Sequence, residues 1–311
     1  MNSLVRAGLT VALALPLGLP SAAFSFAPRP AGVSPTNLGH AHPDAGSVFE
    51  AMHLHHAKKT AHFAFPYGIA IDAAGNLYVA NADANNVVVV SPEFKVLPAT
   101  ITQGIGSPVS VATDTYGNVY VGNRGGSNGG YVQKYNASFA YVQTFTANAT
   151  APFGIAVDQA QDLFVTSNGI ALDDPYGNSI SSSIYAGQPV YSVSVAGPTV
   201  YGFYSSGVAL GNLSVALRTQ ALQGVNGPWP SVEPIGATCS VRNTICWQDD
   251  ASVNSLTRGQ IGGANFSIGL GYQPAGIAVD ELRNRLYVAN PQKNAIEVYT
   301  DNTLVFEKEL T

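Results

Sequence analysis

The chain has 311 residues, of which only 11% are charged and 46% hydrophobic, and its formal net charge at pH 7 is −5. A weakly acidic chain this poor in lysine and arginine lacks the electrostatic footprint of a nucleic-acid binder, so that class is excluded. Abundant Gly, Ser, Thr, Asn and Tyr fit an extracytoplasmic all-β protein.

At the N-terminus, Arg6 precedes an apolar run from Leu9 to Leu19, and Ser21-Ala22-Ala23 follows. This is the pattern of a secretion signal over residues 1–23, and it predicts a secreted or periplasmic protein. The run is too short to span a bilayer, and no later stretch approaches a spanning length, so no membrane span is expected in the mature form. Residues 24–62 read as a flexible leader, with Pro28, Pro30, Pro35 and Pro43 among Gly and Ala. All six histidines fall in it: His40, His42, His53, His55, His56 and His62. Close spacing makes His53, His55 and His56 metal candidates, against the reading that a leader with no supporting scaffold binds metal only adventitiously. From Phe63 to Thr311 there is no histidine, so a mechanism built on an imidazole base has no candidate there.

Residues 63–311 carry a repeated phrase. Its best copy is Pro66-Tyr67-Gly68-Ile69-Ala70-Ile71-Asp72, and it returns at Pro108, Pro152 and Pro274, with worn copies at Pro189 and Pro234. Starts about 40 residues apart with strand-like content predict a β-propeller of four-stranded blades, one per copy. Within a copy, Ile69 and Ile71 belong to the first strand and Leu77-Tyr78-Val79 to the second. Asp72-Ala73-Ala74-Gly75-Asn76 forms the turn between them. Gly75 and Gly117 suit positive φ, and Asp72 and Asp114 suit capping of turn amides. Third strands are expected at Asn86–Val90 and Asn294–Tyr299, and fourth strands at Lys95–Leu97 and Thr303–Phe306.

The phrase P-x-G-I-A-h-D-x-x-G-N-h-Y-V-A-N, with h apolar, resembles the NHL repeat of six-bladed propellers, neighbours of the gluconolactonase and strictosidine-synthase propellers. The resemblance implies an all-β, six-bladed β-propeller of four-stranded antiparallel blades. It is specific for fold and poor for function. The arginine that usually opens the family's third strand is replaced by Val87 and Ala295, so contacts attributed to it are not carried over. Gluconolactonase-like relatives hold a divalent cation through channel oxygens. Here Glu233, before Pro234, is the one glutamate placed for that role.

Aligning Pro234 with Pro66 sets Cys239 where Ile71 stands and Cys246 where Tyr78 stands, opposed on the first two strands of a blade. Cross-strand neighbours lie about 5 Å apart, so a disulfide between Cys239 and Cys246 is expected in an oxidising compartment.

In a propeller, the segments leading into the inner strands and the links from second to third strands share one face around the channel mouth, the default ligand site. On that face the sequence places Tyr67, Asn81, Asp83, Asn123, Arg124, Phe153, Asn168, Asp249 and Asn290. Aromatic rings with amides suit neutral polar ligands, although Asn81 and Asn290 also end equivalent strands, where side chains cap loops. Two segments read as insertions: Ser167–Ser183, with Asp173, Asp174 and Asn178 as oxygen ligands for calcium or as a solvated acidic turn, and Gly224–Pro234, with Trp229 between prolines. The expected role is a non-catalytic, monomeric binding module for protein, peptide or glycan, with no cofactor. The alternative is a metal-dependent hydrolase of gluconolactonase type, using a divalent cation held by oxygen ligands in the channel.

Overall fold

The computed structural model describes residues 62–125, 130–146, 152–167, 169–181, 184, 189–204, 207–212, 223–225, 235–240, 245–260 and 263–311. The signal segment, nearly all of the leader with His53, His55 and His56, and also Asn168, Trp229 and Glu233 lie outside the described residues.

Strands pair antiparallel in chain order into four-stranded sheets, the blades of a β-propeller. The first sheet is β1 (Pro66–Ile71), β2 (Leu77–Asn81), β3 (Asn86–Val90) and β4 (Val96–Ile101). The second is β5 (Pro108–Thr113), β6 (Val119–Asn123), β7 (Tyr131–Tyr135) and β8 (Tyr141–Phe145). Next come β9 (Ile155–Val157), β10 (Leu163–Ser167), β11 (Gly169–Asp173) and β12 (Ser179–Ser181), then β13 (Val190–Ala196), β14 (Thr199–Tyr204), β15 (Gly207–Asn212) and β16 (Gln223–Val225). The last two sheets are β17 (Ala237–Cys239), β18 (Ile245–Asp250), β19 (Ser255–Gln260) and β20 (Asn265–Gly269), and β21 (Ile277–Asp280), β22 (Arg285–Asn290), β23 (Ala295–Thr300) and β24 (Phe306–Leu310).

The apolar alternation of the repeat is spent between blades. Val79, Val88 and Val90 pack with Tyr287, Ile296 and Val298 of the last sheet, while Val87 and Val89 on the opposite side pack with Val111, Val119 and Val121 of the second. Each sheet is therefore apolar on both faces, as a strand run buried on two sides requires.

Inner strands touch in sequence, β1 to β5, β9, β13, β17 and β21, and β21 returns to β1. The residue after the lead-in position is small in every copy: Gly68, Ser110, Gly154, Ser192, Gly236 and Gly276. The reason is contact between neighbouring backbones. A Cβ on Gly68 would stand 2.5 Å from Ser110 Cα, and one on Gly276 would stand 2.6 Å from the Tyr67 carbonyl oxygen. Serine serves where its hydroxyl bridges to the next blade: Ser110 Oγ donates to the Pro152 carbonyl at 2.5 Å, and Ser192 Oγ accepts from Ala237 N at 3.1 Å.

The turn chemistry is as read. Asp72 Oδ1 accepts from Ala74 N and Asn76 N at 2.9 and 2.8 Å, and Asp114 Oδ1 accepts from Tyr116 N and Asn118 N, both at 2.9 Å. Gly75 and Gly117 have φ of 90° and 79°. Cys239 and Cys246 form the disulfide.

Three expectations need correction. Cys239 pairs with Cys246 as Ile71 pairs with Leu77, so Cys246 takes the place of Leu77 and not of Tyr78; the turn in this hairpin is one residue longer. The segment after Ser167 is no insertion, because Gly169–Asp173 and Ser179–Ser181 are the outer strands β11 and β12. The fourth strand of the last sheet starts at Phe306, since Thr303 is held in a turn by Thr300 and Leu304 has φ of 53°.

Candidate functional site

Tyr67, Val109, Phe153 and Ile235 line the mouth of the channel together with the small-residue ring, around a cavity of 60 Å³. At the other end the channel widens to 190 Å³, lined by Ile69–Ile71, Val111–Thr113, Ile155–Val157 and Val193–Val195 among others. Tyr67 also belongs, with Phe63 and Phe65, to the apolar core that the first and last sheets share. Phe63, Phe65 and Tyr67 are each at most 1% exposed, and the Phe65 and Tyr67 rings stack with centroids 6.1 Å apart. Phe65 takes φ of 52°; its N–H donates to Asn294 Oδ1 at 2.9 Å and its carbonyl accepts from Ala82 N at 3.0 Å. The segment before the first strand is thus pinned at both ends of the chain's ring.

The asparagines read as ligand contacts turn inward. Asn81 donates to Asn86 Oδ1 at 3.0 Å and accepts from Ala64 N at 3.4 Å. Asn123 accepts from Gly106 N at 2.9 Å and donates to the Val121 carbonyl at 3.0 Å. Asn290 donates to Glu297 Oε1 at 3.0 Å and accepts from Lys293 N at 3.1 Å. All three are fully buried, so their amides satisfy loop backbone. Burial alone would raise the Glu297 carboxyl, but hydrogen bonds from Tyr299, Lys293 and Asn290 outweigh it and lower the group.

Asp83 is exposed on the loop after β2, and Arg124 is half-buried with its guanidinium 5.9 Å from the Phe153 ring centroid. Asp249 is fully buried. Its Oδ1 accepts from Ile235 N at 2.9 Å and Gly236 N at 2.7 Å, while Oδ2 makes no hydrogen bond. Burial pushes this carboxyl well above the usual range, against the pull of the two amides. The Tyr67 hydroxyl is raised as well, chiefly by burial and then by Asp249, with Arg124 acting in the opposite sense. The structure therefore brings Tyr67, Arg124, Phe153 and Asp249 to one mouth and leaves Asp83 at the surface.

Register explains why Asp249 differs from the asparagines. Asp250, which pairs with Ser255 as Asn81 pairs with Asn86, is their true counterpart. Asp249 precedes it and faces the other way, where Thr166 similarly accepts from Gly154 N at 2.8 Å. Asp173 and Asp174 do not converge on a cation: Asp174 is consumed by Tyr176 N, Asn178 N and Asn178 Nδ2, and Asp173 is buried without a hydrogen bond. Among the described residues no group of three His, Cys, Asp or Glu side chains is placed to hold a metal.

One feature escaped the sequence reading. The pattern Asp-x-Tyr-Gly-Asn occurs at 114–118 and again at 174–178, 66% and 82% exposed at Tyr116 and Tyr176. The two copies stand in different turns of their blades, off the 40-residue period, which hid them.

No known family profile matches the chain, and no curated protein matches it. Solved structures do. A streptogramin B lyase superposes with a TM-score of 0.59 at 14% identity, covering 81% of this chain and 85% of that one. Hydrazine synthase of Kuenenia stuttgartiensis gives 0.59 at 11% identity, covering 80% and 100%. A catalytically inactive histidine-to-alanine variant of virginiamycin B lyase from Staphylococcus aureus, with quinupristin, gives 0.55 at 16% identity over 82% and 87%. At these identities the likeness shows the propeller fold alone.

Proposed function

We propose that this chain is a secreted or periplasmic six-bladed propeller of NHL type, acting as a monomeric, non-catalytic binding module for protein, peptide or glycan. The observation that carries the reading is the channel mouth, a cavity of about 60 Å³ lined by backbone, small residues and apolar side chains, with Tyr67 the one titratable side chain in that lining. A propeller enzyme needs its substrate at convergent polar groups in that mouth. Here Asp249 is the carboxyl whose charge acts on Tyr67, and one of its oxygens is committed to backbone.

The lyase neighbour loses activity when a histidine is replaced, and residues 63–311 of this chain contain no histidine. The gluconolactonase-type alternative would hold a divalent cation through at least three convergent oxygens. Among the described residues no three His, Cys, Asp or Glu side chains converge in this way. The six four-stranded sheets and the return contact from β21 to β1 support the blade count, and the disulfide supports an oxidising compartment. Elemental analysis of the mature protein in metal-free buffer tests the reading. It predicts calcium and magnesium far below one equivalent per chain; a full equivalent retained through dialysis favours the hydrolase.

A further inference from the structure

Three neighbouring hairpin turns on the face opposite the mouth follow one plan, which Asp72–Asn76 also shows. In Asp114–Asn118, Asp114 Oδ1 accepts from Tyr116 N and Asn118 N, Oδ2 accepts from Asn118 Nδ2 at 2.7 Å, and Gly117 N donates to the Asp114 carbonyl at 3.1 Å. In Asp174–Asn178 the same four bonds recur, at 2.9, 2.8, 2.8 and 3.0 Å, and Gly177 has φ of 84°. Asn136 Oδ1 organises the turn before β8 by accepting from Ser138 N and Ala140 N at 2.9 and 3.0 Å.

These turns adjoin one another. A Cβ on Gly117 would sit 3.3 Å from Ala137 Cβ, and Gln143 Nε2 donates to the Pro175 carbonyl at 2.8 Å. The turns that carry Tyr116 and Tyr176 thus each adjoin the β7–β8 hairpin, whose β8 begins at Tyr141, across two neighbouring blades, and the three side chains have exposures of 66%, 43% and 82%. Most tyrosines of the described residues are buried instead. A turn fixed by four hydrogen bonds presents its ring with little left to order on binding, which is the condition for useful affinity from a small contact.

We infer that this corner is a binding platform for a neutral oligosaccharide, an inference that rests on the binding-module reading and names its site and ligand. The segments 114–118, 136–144 and 174–178 contain no lysine or arginine, so they offer nothing to a polyanion. Their aspartates are occupied by turn amides, and the Asn178 amide holds the Asp174 carboxyl below its ordinary range. What remains outward is the three tyrosine rings with the Tyr116 and Tyr176 hydroxyls, since Gln143 Nε2 is committed to Pro175 and Thr144 Oγ1 to Tyr141. The C–H faces of a sugar ring meet the electron-rich aromatic face, and its hydroxyls meet the phenol hydroxyls. A peptide anchor would want a pocket, and the cavities described above lie in the channel.

The test is affinity electrophoresis of the mature protein through gels containing hydroxyethyl cellulose, laminarin, xylan or galactomannan, with polygalacturonate and heparin as anionic comparators. At least one neutral polymer is expected to retard the protein. Tyr116→Ala and Tyr176→Ala are each expected to weaken retardation about tenfold, and Tyr176→Trp to preserve it. Both rings are exposed, so an unchanged thermal transition confirms that the variants fold. Retardation by none of the neutral polymers, by the anionic polymers alone, or equally in the double variant Tyr116→Ala/Tyr176→Ala overturns the inference, as does capture of a peptide library by the same tyrosines. The assay reads no turnover, so its failure leaves the binding-module reading standing, and that reading falls on metal content or turnover instead.

Discussion

Arg285 opens β22 of the last sheet and Phe94 stands in the turn between β3 and β4 of the first, and the Arg285 guanidinium stands 4.4 Å from the Phe94 ring centroid while donating to the Pro92 carbonyl at 2.9 Å. Lys308 covers the same ring at 4.1 Å. Among the described residues the first sheet is built from residues 66–101 and the last from 277–310, with no strand exchanged between them to lock the ring. Side-chain contacts such as this one, and the bond from Phe65 N to Asn294, close it.

Replacing Arg285 by Met should therefore loosen the seam. Losing one hydrogen bond and one cation–π contact costs about 1–2 kcal/mol, which lowers Tm by about 2–8 °C in a domain of this size. Scanning calorimetry reads the shift, and an unchanged Tm would remove Arg285 from the closure.

The small-residue ring predicts a sharp contrast between glycines. Gly68→Ala places a methyl group 2.5 Å from Ser110 Cα, whereas Gly271 has no atom within 4 Å of its would-be Cβ. Overpacking at Gly68 should cost about 1–3 kcal/mol or more, and Gly271→Ala should be near neutral. Urea denaturation of both variants makes the comparison, which fails if the two lose equal stability.

Stability should fall with pH because of Asp173. Its side chain is 1% exposed without a hydrogen bond, and burial, then the charge of Asp174, lifts the carboxyl from 3.8 to about 6. The folded state then holds a proton that the unfolded chain releases, so stability declines as pH rises from about 4 through about 6. Asp173→Asn removes the decline. Thermal melts at pH 4.5 and 7.5 should show the variant gaining on the parent only at the higher pH; a variant less stable at pH 7.5 would contradict the assignment.

Reducing the Cys239–Cys246 bond should destabilise the fifth sheet. The bridge closes a loop with a sequence separation of 7, worth roughly 2–3 kcal/mol on the chain-entropy model. Both sulfurs are buried, at 5% and 0% residue exposure, so the bond should resist mild reductant in the folded state and yield under denaturant. Thiol labelling with and without urea distinguishes the two conditions, and equal labelling would refute the buried placement.

The blades were legible because their hairpins are local. Proline, glycine and aspartate mark where β1, β2, β5, β6, β21 and β22 begin and end, and the cysteines announce a fifth hairpin. Function was less legible because ligand faces are read by counting, and counting carries no orientation. Asn81, Asn123 and Asn290 sit at the predicted rim, yet their amides point at backbone that the sequence does not show. One extra turn residue between Cys239 and Cys246 shifted the register, so Asp249 was read beside the asparagines while Asp250 takes their place. Phe63 and Phe65, buried in the core that the first and last sheets share, precede the first repeat and fall outside the pattern altogether.

The most direct test of the central claim, that a narrow and largely apolar channel mouth serves a binder and not an enzyme, is a turnover assay of the mature protein. Quinupristin and a panel of lactones, each with and without calcium and magnesium, are followed by liquid chromatography with mass detection. The account predicts rates equal to the protein-free background throughout. Saturable, protein-dependent opening of any of these rings would contradict it.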